Sequence, residues 1–161
     1  MLLHSSPVDS FSLAGREIYV KRDDLLHHEF SGNKARKLKY FLAHDFLAVD
    51  TLVSYGGTQS NLMYSLSALA KLKHWQFIYY TNQPSQIALA QSSGNLAAAM
   101  SNGMQLKTVP NKLTDFVNQL TITDNQLFVP QGGADEFAAY GVRELAAEIS
   151  AWSQSANLAE L

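Results

Sequence analysis

Three lysines and an arginine crowd one short stretch, GNKARKLKYFLA, at residues 32–43. On a helix advancing about 100° per residue with Lys34 as origin, Phe41 falls at about −20°, Leu38 at about 40° and Leu42 at about 80°. Lys34 therefore shares the apolar stripe, and Lys37, at about −60°, lies one turn further on. Arg36, at about 200°, and Lys39, at about 140°, fall away from the centre of that stripe and need no function. An ammonium on an apolar face at a helix N-terminus is disfavoured twice, by desolvation and by the positive end of the helix dipole. Both effects favour the neutral amine that a Schiff-base lysine needs. A second cation one turn away, beside free backbone N–H groups, suits a phosphate. A snorkelling lysine whose stem covers apolar surface has the same periodicity, so spacing leaves both readings of Lys34 open.

The second candidate cluster is VSYGGTQSNLMYSLSALAKL, residues 53–72, which runs from an apolar strand through paired glycines into a helix. Gly56 and Gly57 let the backbone approach a ligand closely, and Gln59, Ser60 and Asn61 stand at a helix N-terminus, where an anionic ligand fits. The segment matches neither the Walker A pattern nor G-x-G-x-x-G. A plain turn with Ser60 or Asn61 as helix cap is the alternative. QGGAD, 131–135, repeats the arrangement with Gly132 and Gly133, as a structural turn or as a second wall of the same cleft. Asp23 and Asp24 are adjacent, so their carboxylates seldom converge; pairing with Arg22 or Lys21 to order the loop is the economical reading. Phe77, Tyr79 and Tyr80 read as strand core with no catalytic role.

Other chemistries are excluded by composition. With no cysteine, the chain has no disulfide, no thiolate metal site and no thiol nucleophile, and it sits most easily in a reducing compartment. The five histidines lack H-x-x-x-H spacing, and adjacent His27 and His28 are expected to diverge in a loop, so no metal site is expected. A net charge of −2 gives no basic field for nucleic acid or anionic lipid. No apolar run approaches the roughly 20 residues of a membrane helix, and MLLHSSPVDS turns polar too early for a signal-peptide core. The expectation is a cytoplasmic protein that binds small molecules.

These residues must be positioned by alternating elements. Strands are predicted at 17–21, 51–55, 76–80, 105–109 and 126–130, and helices at 34–48, 60–72, 85–102, 112–120 and 136–152, with Gly103 at a C-cap position. Strand and helix in alternation imply an α/β fold, a mostly parallel sheet with helices on both faces in three layers. In such sheets ligands bind beyond the carboxyl ends of the strands, which directs attention to the turns after Tyr55 and Pro130.

In order, VKRDDLLHHEFSGNKARKLKYFLA and LVSYGGTQSNLMYSLSALAKL resemble the 1-aminocyclopropane-1-carboxylate deaminase and D-cysteine desulfhydrase family, pyridoxal-phosphate enzymes of the tryptophan-synthase-β fold type. GNLAAAMSNGMQLKTVP and VPQGGADEFAAYGVRELAAEI are similar to it too, so the likeness runs nearly the length of the chain. The resemblance implies that Lys34 and Ser60 are catalytic, with Lys34 joined to the cofactor. It implies that Lys37 helps hold the phosphate, that Asn61 hydrogen-bonds the cofactor's 3′ oxygen, and that Gln59, Ser60 and Asn61 meet the substrate, Ser60 and neighbouring amides facing its carboxylate. Two positions depart from the family pattern. Ser31 replaces a common glycine, and Leu62 stands where a polar residue, often histidine, is usual.

The resemblance further implies a small amino-acid substrate of the 1-aminocyclopropane-1-carboxylate or D-cysteine type, release of ammonia and a keto acid, and a homodimer. It assigns residues 1–50 to a large cofactor domain, 51–135 to a small α/β domain and 136–161 to a helix returning to the large domain. The family continues for about as long again, so the glycine-rich phosphate loop, the partner of the pyridine nitrogen and pocket tyrosines are expected outside these residues. Two rivals stand beside this reading. One is a non-catalytic remnant or an anion-binding module needing a second chain, with exposed apolar surface around residues 17–21 and the last helix. The other is a nucleotide-binding α/β module, against which the missing glycine fingerprint argues.

Overall fold

The protein, as a computed structural model, is described over residues 3–30, 32–90 and 93–156. It divides into two compact units. One is His44–Asp135; the other joins the described residues up to Ala43 to those from Glu136.

The His44–Asp135 unit is the expected parallel α/β structure. Its strands are β3 (Thr51–Tyr55), β4 (Gln76–Asn82), β5 (Met104–Val109) and β6 (Gln126–Val129), all parallel in the order β5-β4-β3-β6. β3, buried at four of its five positions, is an inner strand, which explains why its sequence is apolar apart from Thr51 and Ser54. On one face Leu52, Phe77, Tyr79 and Val129 are buried in company with α2 (Asn61–Lys73), whose Leu62, Met63, Leu66 and Leu69 are at most 2% exposed. Each such side chain gains about 1.5–3 kcal/mol on leaving water. On the other face Tyr55 stacks on Phe128, and Tyr80 packs on Phe116 of α5 (Leu113–Asn118), which completes the third layer. Below the sheet the Asp50 carboxylate accepts hydrogen bonds from Asn125 Nδ2 at 3.0 Å and Thr51 Oγ1 at 2.7 Å, tying the entries of β3 and β6 together.

Two expected helices in the chain are shorter than the sequence suggests. The one predicted at 34–48 is α1 (Gly32–Ala43). Beyond it the His44 carbonyl accepts from Lys73 Nζ at 2.8 Å and Phe46 packs edge-on against Trp75, partners that hold this segment outside a helix. The one predicted at 85–102 is two helices, α3 (Gln86–Ala90) and α4 (Asn95–Ser101). Gly94, at φ +91°, turns the chain into α4, a conformation that breaks a helix and that side chains rarely adopt. Gly103, at φ +97°, follows the end of α4 as expected.

The other unit holds an element the apolar-run pattern misses. β1 (Val8–Leu13) pairs antiparallel with β2 (Arg16–Lys21) across Ala14 and Gly15, both at positive φ as a tight primed turn requires. Strict alternation of strand and helix therefore fails at the N-terminus. β1 is almost wholly exposed, so it lacks the buried apolar signature that marks the parallel strands. Apolar surface is indeed exposed along this ribbon and along α6 (Ala138–Ser155). Tyr19 and Ile149 are partly exposed, and a cavity of about 310 Å³ lies among Val8, Ile18, Tyr19, Ile149 and Trp152.

Helices α1 and α6 pack at van der Waals contact through Gly141, where an added Cβ would lie 2.8 Å from the Arg36 carbonyl carbon. Beside that crossing the buried cations of α1 are Arg36, 1% exposed, and Lys39, 5% exposed. This corrects the helical-wheel expectation that they face away from the packed side. The buried arc extends past the apolar stripe because α6 supplies carboxylates to meet it. The Arg36 guanidinium donates to both oxygens of Asp23, at 2.6 and 2.9 Å, and to both oxygens of Glu148, at 2.7 and 2.9 Å. Lys21 adds a 2.6 Å contact to Glu148, Ser6 Oγ donates to Asp23 at 2.6 Å, and Lys39 pairs with Glu144 and donates to the Leu3 carbonyl at 3.1 Å.

Burial pushes the Glu148 carboxyl up, but hydrogen bonds from Arg36 and Lys21 outweigh it and hold the group at about 2. Asp23 is lowered in the same way, burial being overcome by Arg36 and Ser6. A carboxylate lowered on folding stabilises the fold above its unfolded pKa and loses that contribution as pH falls towards the folded one. Denaturant titrations are thus expected to show stability dropping from the ordinary glutamate value of 4.5 down to about 2, and Glu148→Gln to flatten the drop. Gly141→Ala is expected to cost about 1–3 kcal/mol in the same measurement by forcing α1 and α6 apart.

Candidate active site

Lys34 is the third residue of α1 and is half-buried, as is Lys37 one turn later. Its Nζ lies 3.2 Å from Asn33 Oδ1. Burial lowers its pKa first and the charge of Lys37 lowers it further, so the two lysines of the sequence expectation do act on one another. The sequence argument named burial and the helix dipole; the structure adds the neighbouring cation. A lysine shifted in this direction keeps more of its amine neutral at a given pH, which is the nucleophilic form. Ser31, just before this helix, lies outside the described residues.

Gln59, Ser60 and Asn61 stand at the mouth of the parallel sheet, in the other unit. Gly56, at φ +146°, follows β3 and donates its N–H to the Tyr80 carbonyl at 3.0 Å. A Cβ at Gly56 would sit 2.6 Å from the Tyr79 hydroxyl oxygen and 3.5 Å from Gln131 Cγ. Glycine is required there by both space and backbone, and the turn at 56–57 lies against Gln131 of the second Gly-Gly turn, which the sequence left as a structural turn or a second wall of the cleft. Ser60 caps α2, accepting from the Met63 N–H at 3.3 Å, so the capping alternative describes its local role in the fold.

Two residues that bond to this turn, on β4 and α4, were not named as site residues by the sequence argument. Tyr79, read as core, is 1% exposed yet donates its hydroxyl to the Gly57 carbonyl at 3.1 Å and hydrogen-bonds Ser60. Burial pushes its phenol up to about 12, so it stays protonated and holds the turn as a neutral donor. The available signal was its place in QFIYY, alternating with Phe77 onto the α2 face. Asn95, at the start of α4, donates from Nδ2 to the Gln59 carbonyl at 3.0 Å and to Asn61 Oδ1 at 2.8 Å. Its signal was the glycine before it, which opens a new helix at that point. Among the described residues Ser54 Oγ, on the adjoining strand, is the buried side-chain oxygen without a hydrogen-bond partner.

The remaining candidates resolve into structure. Asp24 pairs with Arg22 at 2.8 Å, as expected, whereas Asp23 turns inward to Arg36. His27 and His28 do not diverge; their rings stack at 4.3 Å and 28°, and Glu29 brings a carboxylate within 4.8 Å of both. The Glu29 backbone N–H donates to His27 Nδ1 at 3.1 Å, which puts the proton of the neutral ring on Nε2. That leaves His28 and Glu29, one ligand fewer than the three protein groups of a catalytic zinc.

No family model matches the chain. Among curated proteins it is 34% identical over 156 residues to D-cysteine desulfhydrase of Serratia proteamaculans, covering 90% of this chain and 47% of that protein. It is 33% identical over 155 residues to the D-cysteine desulfhydrase of Yersinia enterocolitica, covering 86% and 45%. The likeness to D-cysteine desulfhydrases runs over nearly the whole of this chain. It spans about half the length of these curated relatives. Its fold is that of a solved 1-aminocyclopropane-1-carboxylate (ACC) deaminase homologue, with a TM-score of 0.72 at 23% identity over 98% of this chain and 50% of that one.

The Gly56 and Tyr79 contact yields a double-mutant test. Gly56→Ala is expected to cost about 1–3 kcal/mol in denaturant titrations. Tyr79→Phe, which removes the oxygen in the way, is expected to recover part of that loss, and strictly additive losses would exclude the contact as the cause.

Proposed function

We propose that this chain carries the lysine end of a pyridoxal-phosphate site and acts, in the complete enzyme, on a small amino acid of the D-cysteine or 1-aminocyclopropane-1-carboxylate type, releasing ammonia and a keto acid. The observation that carries the reading is the 34% identity to D-cysteine desulfhydrase over 90% of this chain, with Lys34 half-buried one turn from Lys37 and its pKa lowered by burial. The residues fit the group. On one unit Lys34 would offer a nucleophilic amine for its aldehyde carbon and Lys37 a cation for its phosphate; on the other, Asn61 would offer an amide for its 3′ oxygen. When bound, the cofactor supplies an electron sink for charge developing at the substrate α-carbon.

The chain's own residues then bind and move protons. Lys34 would be the base that carries a proton. Gln59 and Ser60 meet the substrate, and backbone N–H groups at the α2 N-terminus suit its carboxylate. The reaction class is a deaminating lyase or hydrolase in the cytoplasm, and the active assembly is a homodimer. In this reading residues 1–50 and 136–161 belong to a large cofactor domain and 51–135 form the small one. The exposed apolar surface of β2 and α6 favours a second reading, in which the chain works only with another polypeptide covering that surface.

Pyridoxal phosphate added to the purified chain, followed by borohydride reduction and peptide mapping, tests the proposal. Label is expected on Lys34 in preference to exposed lysines, with a visible absorbance band before reduction and neither in Lys34→Ala. Scattered surface labelling without a band would remove the cofactor role from this chain on its own.

A further inference from the structure

The side-chain amide of Asn61 has two chemically opposite ends, and only one of them can serve a ligand oxygen. Its orientation follows from a backbone group. The Gln59 carbonyl can only accept, so the Asn95 atom 3.0 Å from it must be the NH2 nitrogen. That nitrogen also lies 2.8 Å from the Asn61 side chain, which must therefore present its own oxygen. With Oδ1 engaged, the planar amide turns its two N–H bonds to the other side, and Asn61 is exposed there.

We propose that Asn95 is a positioning residue that locks Asn61 as a hydrogen-bond donor, presetting the head of α2 for an anionic ring oxygen before any ligand arrives. The inference rests on the pyridoxal-phosphate reading for the identity of that oxygen, the 3′ oxygen of the cofactor. The orientation of Asn61 belongs to the free protein and does not rest on it. Gly94 makes the arrangement possible. At φ +91° it swings Asn95 onto the turn, and a Cβ there would lie 3.5 Å from Gln59 Oε1. Without Asn95 the Asn61 amide could present either end, and half of its orientations would offer an oxygen to an oxygen.

Two variants separate positioning from simple support. Asn95→Ala removes the lock and leaves Asn61 free to turn. Asn95→Asp keeps the shape but can only accept, so Asn61 must turn its N–H groups inward to meet it. Side-chain amide hydrogen exchange on the free 15N-labelled chain is expected to show Asn95 protected and Asn61 fast in the parent protein. In Asn95→Asp, Asn61 is expected to become protected. Protection of Asn61 in the parent protein, or no change in Asn95→Asp, would overturn the inference.

The ligand arm compares affinity for pyridoxal phosphate with that for an analogue lacking the 3-hydroxyl. The parent protein is expected to prefer the hydroxyl by about tenfold, the scale of one hydrogen bond to a charged oxygen. Asn95→Ala is expected to keep part of that preference and Asn95→Asp none. Equal losses in the two variants at equal thermal stability would mean that Asn95 merely supports the fold. If neither compound binds the parent protein, the cofactor reading fails for this chain, and amide exchange alone still decides the orientation of Asn61.

Discussion

A guanidinium held by two carboxylates, each through both of its oxygens, is the constraint on which the discontinuous unit depends. Arg36 is 1% exposed, and removing such a charge from water costs several kcal/mol before any partner is counted. Only the full set of partners makes that position tenable. Lys21 and Asp23 come from the end of β2 and the turn after it, and Glu148 from α6, so one cluster joins both of these segments to α1. It also fixes the rotation of α1 about its own axis. With Arg36 and Lys39 turned inward, Lys34 and Lys37 are left half-buried at the edge, where burial and the charge of Lys37 lower the pKa of Lys34.

Hydropathy along the sequence made the parallel sheet legible, because buried inner strands are continuous apolar runs and each is followed by an amphipathic stretch. It failed where burial is achieved by charge pairing. Arg36 and Lys39 look solvated on a helical wheel, since their partners Glu148 and Glu144 lie 112 and 105 positions away. β1 escaped for the opposite reason, being a strand with little buried surface to advertise it. The break between α3 and α4 rests on the backbone of a single glycine in a segment whose composition is otherwise helical.

The candidate site divides in the same manner. Lys34, Lys37 and Gln59 to Asn61 could be named from spacing and from the family-like motifs, because residue type alone suggests their chemistry. Tyr79 and Asn95 could not, since each acts through a backbone carbonyl of the turn, at Gly57 and Gln59, that only the folded chain brings near. The donor roles of Tyr79 and Asn95 are thus set by main-chain oxygens, which can only accept.

The pairing of α1 with α6 also has a consequence for the order of folding. The His44–Asp135 unit is one continuous stretch and has all its strands once β6 has been made. The Lys34 helix waits longer, because Glu148 and Glu144, the partners of Arg36 and Lys39 on α6, emerge from the ribosome more than a hundred residues after them. During synthesis the sheet unit can close first, as N-terminal and contiguous units generally do. Until α6 arrives, α1 carries two cations meant for burial with only part of their counter-charge. The helix that holds the candidate lysine therefore becomes rigid only after the sheet unit and α6 have been made.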